Sequence, residues 1–95
     1  MSSGTLSASV APNPPNPTGT LTFVTSRSGP ATVQLFDLSG RTVRTLFQSS
    51  DLPAGVHPIA IDGTNRFGKR LPSGMYFYRV RTAEGDAIGR LTIRR

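Results

Sequence analysis

One histidine, five carboxylates and no cysteine are all that this chain offers for acid–base, nucleophilic or metal chemistry. Ser39, Ser49 and Ser73 each stand in a turn context that favours serine on its own account, so none forms a convincing triad with His57. Glu84 and Asp86 flank an exposed hairpin tip, and no pair of carboxylates has the strand spacing that general acid–base work requires. Asp62-Gly63-Thr64-Asn65 resembles the start of a calcium loop, but its acidic ligands are too few and Lys69 and Arg70 oppose a cation. His57 has the parity of two core residues but lies at the open end of a strand, where it reads as a hydrogen-bonded edge residue. No glycine-rich loop precedes a helix to cradle phosphate. The chain is therefore expected to be no enzyme and to hold neither cofactor nor metal.

What remains are arginines and aromatics. The formal net charge is +6, and ten of the eleven cations are arginine, which grips carboxylate or phosphate in a bidentate manner. Such a balance permits acidic partners, including nucleic acid, anionic polysaccharide and acidic membrane surfaces. It equally suits arginines that solvate the outer faces of strands and guard their edges. Nucleic acid is disfavoured, because neither stacked RNP aromatics nor a GXXG loop is present. No apolar run approaches membrane-spanning length.

The elements that position these side chains are short strands. Glycine and proline are abundant, with 10 and 8 copies, apolar runs are short and alternating, and no helical period lasts beyond two turns. The organising stretch is Leu71 to Val80. Pro72-Ser73-Gly74 reverses the chain, and Met75-Tyr76-Phe77-Tyr78-Arg79-Val80 follows as a central strand. Alternation turns Tyr76, Tyr78 and Val80 inward, and Met75, Phe77, Arg79 and Arg81 outward. Tyr76 sits where a sandwich keeps its tyrosine corner, with simple core filling as the alternative. Leu21 and Phe23, Val33 and Leu35, and Ile59 and Ile61 mark three further inward faces, with Phe36 outward. Asp37-Leu38-Ser39-Gly40-Arg41 reads as a three-residue hairpin loop capped by Asp37, with positive φ at Gly40, and places Val43 opposite Leu35. Gly74 is expected to need similar freedom. A last hairpin turning at Glu84-Gly85 sets Arg79 opposite Arg90, Tyr78 opposite Leu91 and Gly89 opposite Val80. About seven strands at this spacing make an all-β, antiparallel immunoglobulin-like sandwich.

Residues 1–10 are expected to be a flexible tail or linker, with a short edge strand over Ser9-Val10-Ala11 as an alternative for its end, and 11–95 the sandwich. Met1 to Gly4 lack the basic start and apolar core of a signal peptide. They read as a linker, and the chain as a piece of something larger. The run Pro12 to Gly19 is either a stiff linker or a recognition segment.

The runs PNPPNPTGTLTF, ATVQLFDLSGRTVRTL, LPAGVHPIAIDG, NRFGKRLPSGMYFYRV and GRLTIRR, in that order, resemble two related families over residues 11–95. One is the type A C-terminal sorting domain of type IX secretion substrates. The other is the immunoglobulin-like domain of the flagellar hook-capping protein. The sorting-domain likeness implies a module read by outer-membrane secretion machinery and then cleaved or exchanged for an anionic-lipopolysaccharide anchor. Its recurring elements fall on Pro12 to Gly19, Gly74-Met75-Tyr76 and Arg90 to Arg95. That family usually ends in lysine, whereas only arginine stands here, and Asp62 to Gly68 is closer to the hook-cap type. Two functions follow as expectations. One is a non-catalytic module at the C-terminus of a secreted protein, serving type IX export or surface attachment, with an extracellular or cell-surface location. The other is an assembly domain that adds its N-terminal arm, including Pro14, Asn16 and Pro17, to a neighbour's sheet. Candidate contacts to secretion machinery or an anionic surface glycan are Phe36, Phe77, Arg79, Arg81, Arg90 and Arg94.

Overall fold

The computed structural model describes residues 6–11 and 19–94. The arm residues Pro14, Asn16 and Pro17 lie outside them. Seven strands follow in chain order: β1 (Ser7–Ala11), β2 (Gly19–Thr25), β3 (Gly29–Phe36), β4 (Thr42–Leu52), β5 (Gly55–Ile61), β6 (Gly74–Thr82) and β7 (Gly85–Ile93). They form two antiparallel sheets, ordered β1-β2-β5 and β4-β3-β6-β7. Residues 7–10, expected in a tail, thus belong to β1, an edge strand paired with β2 from Ser7↔Val24 to Ala11↔Thr20. Ala8 and Val10 of that strand pack against the core.

The inward faces are those that alternation assigns. Leu21, Phe23, Val33 and Val80 are fully buried, Leu35 and Ile61 nearly so, and Leu91 and Ile93 from β7 close the same core. Tyr76 and Tyr78 are also buried, and the Tyr76 hydroxyl donates to the Pro72 carbonyl at 2.7 Å. That bond makes Tyr76 a tyrosine corner and ties β6 to the turn that delivers it. His57 follows its expected edge role: Nε2 is 2.8 Å from the Pro53 carbonyl, and the ring lies 5.2 Å from that of Phe23. Pro58 falls in β5, which bonds to β2 along one side only, an edge position that proline tolerates.

Two expected registers differ. The last hairpin turns at Ala83-Glu84, with Thr82 paired to Gly85, so every partner shifts by two residues. Tyr78 faces Gly89, Tyr76 faces Leu91, Phe77 faces Arg90, and Arg79 faces Ile88. A shift of two leaves each side chain on its own face, so inward parity cannot detect it. The observed register seats the ring of Tyr78 in the space over Gly89: a Cβ there would lie 2.3 Å from the ring. The turn is also held from outside, since Glu84 accepts from the backbone N–H of Ser26 at 2.7 Å and from its hydroxyl.

In the other hairpin the Asp37 loop forms as expected, but β4 carries register shifts against β3. Leu35 pairs with Arg44 and Phe36 with Thr42, which leaves Val43 as the extra residue of a bulge rather than the partner of Leu35. A second shift, between Val33↔Phe47 and Gln34↔Thr45, sets Leu46 aside in the same way. Both extra residues still pack against the core.

Candidate functional site

With the inward residues committed to packing, recognition chemistry must lie on outer faces and loops. The outer face of β4-β3-β6-β7 is organised in cross-strand rows. Thr32, Arg81 and Asp86 form one row, Gln34, Arg79 and Ile88 the next, and Phe36, Phe77 and Arg90 the third. Four of the residues singled out from sequence, Phe36, Phe77, Arg79 and Arg90, therefore lie together at the centre of this sheet. Arg81 is one row away, in an ion pair with Asp86 at 3.6 Å. Arg94 follows the end of β7, two rows beyond Arg90, and is not part of the group.

The expected opposition of Arg79 and Arg90 is not found, because the hairpin register gives Arg90 to Phe77. No like-charge cross-strand pair needs explaining. Arg79 instead lies diagonally over Phe36, its Cζ 5.2 Å from the ring centroid. It is half-buried, and its Nε is shielded from solvent with no hydrogen-bond partner among the described residues. The aromatic rows are less solvated than an arginine-bearing face leads one to expect: Phe36 and Phe77 are also half-buried, whereas Met75 and Ile88 stand exposed beside them. The result is an apolar platform framed by guanidinium groups, suited to a flat or apolar partner that carries carboxylate or another anion.

On the β4 side the platform runs into a polar cleft lined by Gln34, Thr42, Arg44, Thr45 and Arg66. Sequence reasoning did not include these residues. Arg44 is drawn in by Thr64, by the Asn65 carbonyl at 3.1 Å and by Asp62 at 3.5 Å. Arg66 donates to the Thr42 carbonyl at 2.7 Å. The bulge at Val43 re-aims this part of β4, so strict alternation could not have shown these side chains meeting.

The loops beside the cleft are closed by internal hydrogen bonds. Asp37 Oδ1 accepts from the Ser39 N–H, the Ser39 hydroxyl and the Arg41 N–H at 2.9, 2.6 and 3.0 Å. These bonds, the hydroxyl of Ser39 foremost, hold the Asp37 carboxyl below its ordinary 3.8. Gly40, with φ 89°, closes the turn. The Asp62 carboxyl is also lowered: partial burial alone would raise it, but the hydrogen bonds from Thr64 and the charge of Arg44 outweigh that. The expected glycine freedom holds at Gly74 too, with φ 158°, near the extended limit of the positive range.

The sequence model of the FlgD Ig-like domain family matches residues 2–86. No curated protein matches the chain. Among solved structures, the whole chain superposes on 10% of dimeric latent PorU from Porphyromonas gingivalis, with a TM-score of 0.74 and 19% identity. It also superposes, over 93% of its length, on 11% of PorZ from the same organism, a surface component essential to type IX secretion, with a TM-score of 0.58 and 21% identity. FlgD from Xanthomonas campestris, which caps the hook in flagellar assembly, matches over 95% of this chain and 62% of its own, with a TM-score of 0.59 and 21% identity. At these identities the likeness is one of fold. The chain spans about a tenth of the length of PorU and of PorZ.

Proposed function

The chain belongs to the FlgD Ig-like domain family, and from that premise we propose that it is a non-catalytic module of a larger extracellular or cell-surface protein, serving type IX export or surface attachment. The observation that carries this reading is coverage. Nearly the whole chain fits about a tenth of a surface component of the type IX secretion system, as an appended module would. The outer face of the four-stranded sheet is its working surface in this reading. Phe36 and Phe77 supply contact area, and Arg79 and Arg90 receive acidic groups of secretion machinery or of an anionic surface glycan. The test fuses the 95 residues to the C-terminus of a periplasm-directed reporter in a host with type IX secretion. The reporter should reach the cell surface, and Arg79→Ser with Arg90→Ser should reduce that arrival. A reporter left in the periplasm sinks the proposal.

A hook-cap-like assembly domain is the second reading, favoured by the family itself and by the fuller coverage of FlgD. In that case residues 12–18 add to a neighbour's sheet edge, and mass in solution at high concentration should fall when residues 12–18 are replaced by a Gly-Ser linker of equal length, which keeps β1 in place. A strict monomer in both forms removes this reading.

A further inference from the structure

The last strand of a sheet has one unpaired side, and folds protect such edges against other chains. Among the described residues the edges are β1 and β5 in one sheet and β4 and β7 in the other. Three of these edges are guarded or short. Pro58 removes a donor from β5. β4 carries register shifts against β3, and the Arg66 N–H and guanidinium already occupy its Val43 and Thr42 carbonyls. β1 has only 5 residues. β7 has none of these devices: its 9 residues contain no proline, no lysine and no register shift against β6. A loop of two residues closes only on a pair that exchanges its N–H···O bonds, so Thr82 and Gly85 spend their backbone groups on each other. Such pairs alternate along the ladder. Asp86, Ile88, Arg90 and Thr92 therefore aim their N–H and C=O groups at the open side.

The side chains of these residues are exposed on the outer face, Ile88 by 69%, and their order is self-complementary. Asp86 and Arg90 stand at equal distances on either side of Ile88, with opposite charges. A second β7 laid antiparallel, with Ile88 on the two-fold axis, sets Asp86 of each copy against Arg90 of the other. Ile88 then meets Ile88, all of these in hydrogen-bonded pairs, and the small Ala87 and Gly89 meet on the inner side. Other symmetric registers lose this match. Centring on Asp86 or Arg90 opposes like charges, and centring on Ala87 or Gly89 sets Ile88 against a charge. Arg90 has no ion pair among the described residues. Asp86 is held at Oδ2 alone, by Arg81 Nε at 3.6 Å, and both side chains are exposed, so a second guanidinium can reach the same carboxylate. Charges that served only to guard the edge would share one sign and repel another copy, whereas these attract one. We infer that β7 is the interface of a symmetric homodimer, in which two copies join edge to edge in this register and their larger sheets become one. The pairing stands apart from the proposed export or attachment role, and it leaves Phe36, Phe77 and Arg79 of both copies on one continuous outer face.

One strand pairing buries less than the roughly 1,200 Å² of a standard interface, so the dimer is weak and belongs to high concentration. Sedimentation velocity on the full chain, up to about 1 mM, should show a reversible monomer–dimer equilibrium. Arg90→Glu opposes acidic groups across the axis, and Asp86→Arg opposes basic ones. Each variant, shown folded by its thermal melt, should self-associate at least about tenfold more weakly than the wild type. Mixed together, the two variants match again at both contacts and should form a heterodimer, which the other symmetric registers do not predict. If Asp86→Arg does not fold without the contact to Arg81, Ile88→Lys carries the test by setting like charges on the axis, and it should abolish the dimer. A wild-type monomer throughout that range overturns the inference. So do folded variants that dimerise as strongly as the wild type, or a mixture that forms no heterodimer. A dimer that disappears when residues 12–18 are replaced by a Gly-Ser linker overturns it too, since the arm and not β7 would then hold the copies together.

Discussion

A single methyl group at position 89 should report directly on the register of the last hairpin. A Cβ on Gly89 would lie 2.3 Å from Cζ and from the hydroxyl oxygen of Tyr78, and 2.6 Å from Cε2. Contacts that short force something to move, and the ring has little room because Tyr78 is only 8% exposed within the core. Overpacking of this kind costs about 1–3 kcal/mol. Against that, alanine in a strand interior is favoured over glycine by roughly 0.5–1 kcal/mol through backbone entropy. Gly89→Ala should therefore destabilise the wild type by about 1–2 kcal/mol. In a Tyr78→Leu background the far end of the ring is gone, and the same change should stabilise by up to about 1 kcal/mol, because only the entropy gain of a strand alanine remains. The coupling, on the order of 2 kcal/mol, is within reach of a double-mutant cycle read by guanidinium unfolding at 25 °C. If Gly89 faced Val80 instead, the methyl would enter open space. Gly89→Ala would then stabilise both backgrounds alike, and that result would refute the register and the steric reasoning behind it.

Four further outcomes follow from the same geometry. Tyr76→Phe should lose about 0.5–1.5 kcal/mol with the bond to Pro72, and Tyr76→Ala about 3–5 kcal/mol as a large buried aromatic; equal losses in denaturant unfolding would deny the hydroxyl any part. Asp37 has a lowered folded pKa, so its contribution is fully present above the unfolded value near 3.8 and is lost as pH falls through the folded one. Thermal melts from about pH 6 to about pH 2 should accordingly show the wild type losing more than Asp37→Asn on the acid side, and parallel profiles would contradict this. Gly40→Val should cost more than Gly74→Val, because φ 89° is deep in the region that β-branched residues avoid whereas 158° is near extended; the reverse order in unfolding midpoints would count against the turn geometry. Arg79→Met should leave stability unchanged or raise it, since it removes a shielded, unpartnered Nε while keeping the stem over Phe36; a loss above about 1 kcal/mol would make the guanidinium structural.

How much of this was open to a reader of the sequence depends on the symmetry of each signal. Alternation fixes faces, so Leu21, Phe23, Val33, Leu35, Tyr76, Tyr78 and Val80 are buried as their parity requires. The Asp37 loop was legible because its chemistry is local: an acceptor at the first position and a glycine at the fourth. The hairpin register was not, because a two-residue shift preserves every inside–outside relation. Two finer signals distinguish the alignments: the volume of the Tyr78 ring over Gly89, and charge, which sets Arg81 against Asp86 instead of Arg79 against Arg90. The bulges of β4 left a trace in Leu46-Phe47, an apolar doublet inside an alternating strand, which a strict two-residue period cannot accommodate. β1 is built from serine, alanine and valine, whose weak alternation carries little contrast between its faces.

The outer face shows what parity can and cannot say about function. It placed Phe36, Phe77, Arg79 and Arg90 outside, and they do lie on adjacent rows. It did not foresee that an outward arginine would be half-buried on a phenylalanine ring, because exposure depends on neighbours and not on direction alone. The case for a working surface changes with that correction. An opposed pair of arginines would have been a repulsion in need of a purpose, and no such pair exists. In its place stands a shielded donor with no hydrogen-bond partner among the described residues, and leaving a buried polar group unsatisfied costs about 1–3 kcal/mol. A leucine or methionine at position 79 would cover Phe36 without that cost. The fold's own stability does not call for this arginine, and the proposed contact with an acidic partner is what its retention would serve. The stability of Arg79→Met and its effect on surface arrival therefore have to be read together: the first says what the guanidinium costs the fold, and the second whether it serves the proposed partner.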